Sequence, residues 1–501
     1  MRAWFSRAMQ TAALALTCWT LSSALHAQDS SLGGGNTTGV GNGSSLGGGT
    51  GVVPGGGAMA DFDTLINLIQ QTVDPDSWLA AGGTSTILQY PSGVYVDPEG
   101  HVKRITETEK LAVLRNAPDL HANPTTHPWR QASGLRTISL RKLETALKHL
   151  ASTGLSPTHE IVRLAGLSRI QYVKIDAANE DILLAGPAGE DGLGFELQDL
   201  AVVAALISHR TAPLGCSIEP SNDGLLAAQK YLSESGVISR LARNPRMVVE
   251  QMQDRIGDHN VKVFGMDPNT GTALALIDAD EHMKKVGFGT VATRVPVNSY
   301  FDYLEKEAKV PSQSMIRWWF SYADAPIRVN KAHDLFELPE QCVAIFSEQQ
   351  WVSQQGRAPT GKNDNSADAF AEGFTKRLGL MRKSHPSYAR LTAVFETSLA
   401  LQLAVESTGL PNLQAWFPNL CYIGSEVPPE NPNPKTVDGL TTWHKMKNGT
   451  VVAVVSGGVK VDAISVAKSE NWEESSFLAN SMVPEQQERV STAHGAWWWD
   501  Q

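Results

Sequence analysis

Residues 28–59 are built largely from Gly, Ser, Thr and Asn, and the hexamer Ser-Ser-Leu-Gly-Gly-Gly stands there twice, at 30–35 and 44–49. Such chain has almost no apolar surface to bury against the backbone entropy that ordering would cost, so it acts as a flexible spacer. A folded body can therefore begin only near residue 60. What precedes the spacer has the order of a secretory signal. Arg2 and Arg7 are followed by an uncharged, mostly apolar run over 9–25, and Ala27 offers a small residue at a cleavage site within Ala24-Leu25-His26-Ala27. A cleavable signal peptide over 1–27 is expected, with export to the periplasm or cell envelope. An uncleaved anchor is the alternative, but Thr, Ser and Gln interrupt the run. A lipid attachment at Cys18 fits less well, because Thr17 precedes it and the cut would fall inside the apolar run.

The chain has 501 residues, of which 42% are hydrophobic and 19% charged, enough for a sizeable core in two or three domains. A net charge of −10 argues against nucleic acid and anionic membranes as partners, since both call for a basic face. No transmembrane span is expected after the signal. Past Cys18 the cysteines are Cys216, Cys342 and Cys421. Three well-separated cysteines are no disulfide framework; buried free thiols, or one disulfide plus one thiol, are the two readings.

Residues 60–105 read as a small α/β element: a helix through Phe62, Leu65, Ile66, Leu68, Ile69 and Val73, then extended chain over 87–96. Residues 106–134, with Pro118, Pro124 and Pro128, read as a linker, and His121 and His127 there as solvated. The main body spans 135–470, with a break between subdomains placed near 290–310, and 471–501 form a C-terminal tail. Within the body the periodicity predicts helices at 137–152, 158–166, 197–208, 221–235, 245–257, 298–308, 366–383 and 387–408. Asn244 should cap the fifth, with Pro245 at its first position. Strands are expected at 170–175, 182–185 and 216–218 and within 315–348. A hairpin is expected from 261–265 and 273–277 about the loop Met266-Asp-Pro-Asn-Thr-Gly-Thr, and a meander over 441–463 turned at Asn448-Gly449 and Gly457-Gly458. Local pairing of this kind predicts an α+β class, helices with short antiparallel sheets and hairpins.

The chain lacks His-Glu-x-x-His, Gly-x-Ser-x-Gly, a phosphate-binding Gly-x-x-x-x-Gly-Lys-Ser/Thr loop and Cys-x-x-Cys, so no metal site and no cofactor are expected. The densest polar cluster is Asp278, Asp280, Glu281 and His282, followed by Lys284 and Lys285. Placed at the end of strand 273–277, its carboxylates and imidazole could move protons or bind a metal. Placed at a helix start, the same acids simply satisfy free N–H groups. In Arg317-Trp318-Trp319-Phe320, strand alternation puts Trp318 and Phe320 on one face and Arg317 and Trp319 on the other. One Trp then enters the core, and the other can stack with Arg317 or a ligand such as a sugar or peptide. Trp497, Trp498 and Trp499 near the C-terminus dock either on the chain's own surface or on a partner.

Several phrases resemble a known family. Residues 166–187 (GLSRIQYVKIDAANEDILLAGP), 216–225 (CSIEPSNDGL), 271–288 (GTALALIDADEHMKKVGF), 317–320 (RWWF) and 457–467 (GGVKVDAISVA) are similar to the planctomycete domain-of-unknown-function family numbered 1598. Residues 61–97 resemble a segment of exported planctomycete proteins, some related to secretin-type pore components. The resemblance implies an exported protein and carries no catalytic residues with it. The resulting expectation is a noncatalytic envelope protein for interaction or assembly, with an envelope protein as partner. Its rivals are an exported hydrolase or metal-dependent enzyme centred on Asp278, Asp280 and His282, and a polysaccharide- or peptide-binding module using Arg317, Trp318 and Trp319.

Overall fold

A computed structural model describes residues 87–90, 93–96, 128–189, 194–208, 213–307, 315–362, 364–425, 433–447, 449–479, 483 and 498–499. The helix expected at 62–73, the spacer, the signal segment, His121, His127 and Trp497 lie outside them. Residues 24–123 and 124 onward belong to different compact units. In the first, β1 (Ile87–Tyr90) and β2 (Gly93–Val96) pair antiparallel, in keeping with the extended chain expected there.

The second unit is α+β. It opens with β3 (Ser133–Ser139) and α1 (Leu140–Thr153), so the helix expected from 137 starts three residues later. Ser139 ends the strand and caps the helix by accepting from Lys142 N, which places the boundary. A short α2 (His159–Val162) precedes the hairpin β4 (Tyr172–Asp176) and β5 (Asp181–Ala188). Helix α3 (Leu197–Ser208) is buried on most sides, as its composition requires. Then come β6 (Leu214–Glu219), α4 (Asn222–Ser233), α5 (Val237–Arg243) and α6 (Pro245–Ile256), the last capped by Asn244 with Pro245 at its first position.

Strand β7 (His259–Phe264) is not the first arm of a hairpin. The chain turns at Asp267-Pro-Asn and enters α7 (Gly271–Gly287), and Thr270 accepts from Ala273 N as its cap. The Ala-Leu-Ala-Leu-Ile run that reads as a strand is buried on nearly every side of a helix, where apolar residues need no period of two.

After α8 (Tyr300–Glu307) the strand-like stretch resolves into β8 (Met315–Tyr322), β9 (Ile327–Val329), β10 (Leu335–Glu337), β11 (Val343–Ser353) and β12 (Gly356–Pro359). Helices α9 (Asn365–Met381), α10 (Pro386–Thr408) and α11 (Pro418–Ser425) follow. The chain ends in β13 (Thr436–Val437), β14 (Thr441–Met446), β15 (Gly449–Val461), α12 (Ala463–Val466) and β16 (Trp472–Glu474).

The sheets are larger than the short antiparallel ones expected. One runs β16-β9-β10-β4-β5-β3; the other runs β12-β11-β8-β15-β6-β7-β13, with β14 on β15. Two pairs, β15–β8 and β16–β9, are parallel. Strands from before and after residues 290–310 share both sheets. Helix α10 sits between the sheets. Its Glu396 accepts from Ile170 N just before β4, and its Phe395 carbonyl accepts from Tyr322 Oη at the end of β8.

The meander is a second correction. Gly457-Gly458 makes no turn, and β15 runs straight through it. A Cβ on Gly457 would stand 2.5 Å from an Asp280 carboxylate oxygen and 2.8 Å from Trp318 O. On Gly458, whose φ is 153°, a Cβ would stand 2.3 Å from Cys216 O. The pair is glycine because α7 and β6 press against the strand there, one of the established uses of glycine inside a sheet. The tail, finally, docks on its own body. Trp498 and Trp499 are buried, Ser139 N donates to Trp498 O at 2.9 Å, and Trp499 bridges Ile138 on edge strand β3.

Candidate functional site

Because residues 278–285 lie inside α7 and not at its start, 3.6 residues per turn distribute their charges around the helix. Asp280, Glu281 and Lys284 face the sheet. Lys284 and Asp280 are completely buried, with Nζ 3.0 Å from Asp280 Oδ2 and Glu281 Oε1 also against the ammonium. Asp280 Oδ1 accepts from Gly458 N at 2.6 Å, so the carboxylate is tied to β15 through the gap the two glycines leave. Burial raises the Asp280 carboxyl to about 6, against the pull of Lys284. Burial also works against the Lys284 charge, but the two carboxylates outweigh it and hold the ammonium above its ordinary value. Nearby on β7, His259 is fully buried, and neither ring nitrogen has a partner among the described residues. Burial, helped by the charges of Lys284 and Arg357, lowers it to about 3, so it is neutral. Cys216, across from Val459, is a buried free thiol that burial pushes far up; Cys342 is free and buried too, and Cys421 is buried with Ser208 Oγ 3.4 Å from its Sγ. The cluster is a closed internal ion group.

Asp278 and His282 leave the same helix on a different side, toward the start of α10. His282 Nδ1 lies 2.6 Å from Tyr388 Oη, its ring is 4.1 Å from that of His385, and Asp278 accepts from Ser387 Oγ. Burial, then the neighbouring His385, lowers His282 to about 4. Asp278, Asp280 and His282 therefore do not converge on one point. Asp280 faces β15, whereas the other two join α7 to α10. Among the described residues no three His, Cys, Asp or Glu side chains are placed to hold a metal ion.

Strand β8 follows the expected alternation. Trp318 is no part of a surface: it is fully buried, its ring 4.5 Å from Phe370, and its Nε1 donates to Ala367 O. Helices α7 and α9 cover that face of β8, so the Trp nominated for binding is core. Arg317 and Trp319 point to the opposite face. The Arg317 guanidinium stands 5.0 Å from the Trp319 ring, and Trp319 stacks on half-exposed Phe346 at 5.9 Å. Arg317 also pairs with Glu348 on β11 at 3.4 Å and Glu219 on β6 at 3.8 Å, and Arg357 on β12 pairs with the same Glu219. Register carries this patch across the sheet in one row: Phe346, Trp319, Gly458, Ser217, Lys262. A glycine stands in the middle of the row, between the aromatic pair and the lysine. Sequence alone missed Phe346, Glu348, Glu219 and Arg357, because only strand register places them beside Arg317; the Arg-Trp-Trp-Phe alternation was the one signal pointing there.

Residues 216–300 match the model of a family described as a protein of unknown function, DUF1598. That span runs from β6 through α7 into the start of α8, and so encloses Cys216, His259 and the Asp280–Glu281–Lys284 group. No curated protein and no solved structure matches the chain.

Proposed function

We propose that this is an exported cell-envelope protein without catalysis of its own, acting in interaction or assembly, and that an envelope protein partner seats on the face bearing Arg317, Trp319 and Phe346. The contrast between two places carries the reading. Asp280 and Glu281 of α7 are closed off with Lys284 against β15, whereas an aromatic pair with an arginine over it stands partly exposed on the opposite face of the sheet, whose Met315 end α4–α6 cover. Aromatic and arginine side chains are the groups that dominate binding surfaces. The N-terminal Arg2/Arg7 segment, the glycine spacer and the resemblance to exported planctomycete proteins support the envelope setting. A polysaccharide- or peptide-binding module is the second reading. A stacked Trp319 beside hydrogen-bonding Glu348 and Arg317 also suits a sugar ring.

The test is capture from envelope fractions of the source cells with mature wild-type protein, Trp319→Ala and Arg317→Ala. A partner retained by the wild type and lost by both variants is expected. A glycan column that retards the wild type and not Trp319→Ala would favour the second reading. No retained partner, together with turnover of a hydrolase substrate that Asp278→Asn or His282→Ala abolishes, would overturn both.

A further inference from the structure

A cleft of about 450 Å³ opens at the end of the large sheet, between α3, α10 and the chain leaving β15. It lies on the helix-covered side, away from Trp319, because Val461 falls in the register set of Val459, not that of Gly458. Its size is that of sites for small organic molecules. Leu206, Leu214, Val405, Val461 and Ala463 make its apolar wall.

Along α10 the other wall is polar. Ser398, Gln402 and Glu406 follow one another at four-residue spacing, so they share one face of the helix. They grade from inside to outside: Ser398 is 2% exposed, Gln402 9%, and Glu406 is at the surface. The Ser398 hydroxyl has no hydrogen-bond partner among the described residues. Two threonines on this helix do otherwise. Thr392 turns its hydroxyl to the Tyr388 carbonyl at 2.8 Å, and Thr408 turns its own to the Ala404 carbonyl at 2.6 Å. Ser398 forgoes the same bond. A buried hydroxyl without a partner is disfavoured unless something completes it. Glu406 makes no ion pair among the described residues. Asp462, also at the cleft, is already engaged by Lys460 and by Ser465 N.

We propose that this cleft binds an aliphatic molecule with a hydrogen-bonding group at its inner end and a cationic amine at its outer end, the class of long-chain amino alcohols. The inner group completes Ser398, the chain lies on the Leu206–Val461 wall, and the amine meets Glu406. Eight residues of helix separate Ser398 from Glu406, about 12 Å at 1.5 Å per residue, which sets the length between the two ends. A carboxylate at the outer end would face Glu406 and be rejected.

Titration calorimetry with 8-amino-1-octanol tests this on the mature chain, with 8-hydroxyoctanoic acid as the matched anion. The wild type is expected to bind the amine at least tenfold more tightly than the acid. Ser398→Val and Glu406→Gln should each weaken amine binding at least tenfold. Ser398→Val should melt no lower than the wild type without ligand, because it removes an unpartnered hydroxyl, and Glu406→Gln is a surface change; melting curves thus separate lost binding from lost folding. No binding heat with the wild type, equal affinity for amine and acid, or wild-type affinity in both folded variants would overturn the proposal.

Discussion

Lys284 carries an ammonium to a point that water does not reach, and two carboxylates one turn away make that possible. Removing one partner of such a group leaves buried charge uncompensated, at about 3–5 kcal/mol. Lys284→Met should therefore lose stability of about that size in urea unfolding at pH 7, although Met fills similar volume. A loss under 1 kcal/mol would mean that the carboxylates find another partner. The two depressed histidines set a sign for acid. His282 falls from its ordinary value near 6.5 to about 4, and His259 to about 3. Between those values and 6.5 the unfolded chain binds protons that the native chain does not, so stability drops as pH falls through that window. Asp280, raised to about 6, acts oppositely: its contribution is present in acid and fades as pH rises through 6. His282→Asn removes one of these groups. Wild type should lose stability relative to this variant from pH 6.5 down to 4, followed by denaturant midpoints, and a constant difference would refute the assignment.

At the scale of the element, the contact between α7 and β15 depends on the missing Cβ of Gly457. Gly457→Ala sets a methyl within 3 Å of the Asp280 carboxylate and of Trp318 O, and neither can withdraw, since one is held by Lys284 and the other is backbone. Overpacking of this kind costs about 1–3 kcal/mol. The melting temperature of Gly457→Ala should fall accordingly, while Gly379→Ala, in α9 with open space around it, should be neutral or slightly stabilising. The same element explains which parts of the pattern were readable. Asn244-Pro245 announces the start of α6 because capping is local chemistry. The five residues 273–277 do not announce whether they are strand or helix, because burial of all but Leu274 erases the period. Gly457-Gly458 reads as a turn for the same reason: a dipeptide signals that glycine is required, not whether a bend or a close neighbour requires it.

Across the whole molecule, the C-terminal residues close an edge. Trp499 pairs with β3, its ring lies over the Arg136 guanidinium at 4.6 Å, and its indole N–H donates to Glu160. Arg136 in turn is buried and donates to the carbonyls of Trp129 and Ala165. The tail thus completes a structure begun more than 350 residues earlier, and covers a strand edge that would otherwise invite pairing. Trp499→Ala should cost about 3–5 kcal/mol, the range for emptying a buried tryptophan site. It should also raise the fraction of dimer or larger species in size-exclusion chromatography. An unchanged melting temperature would show that the docking contributes nothing.

The sequence by itself determined the features that depend on near neighbours along the chain: the α+β class, most helix positions, the Asn244 cap and the opposed faces of Arg317 and Trp318. These follow from periodicity and capping, whose range is a few residues. Tertiary structure alone decided which strands share a sheet, that Asp280 lies buried against β15 while His282 turns to α10, and that Phe346, Glu348 and Glu219 surround Arg317. It also placed Ser398 in the lining of a cleft. Each of these depends on pairing or burial between residues far apart in the chain, and burial sets whether a charge is solvated, paired or closed away. The same acid–lysine spacing would serve a solvated helix face equally well, so only packing distinguishes the internal ion group from a surface one.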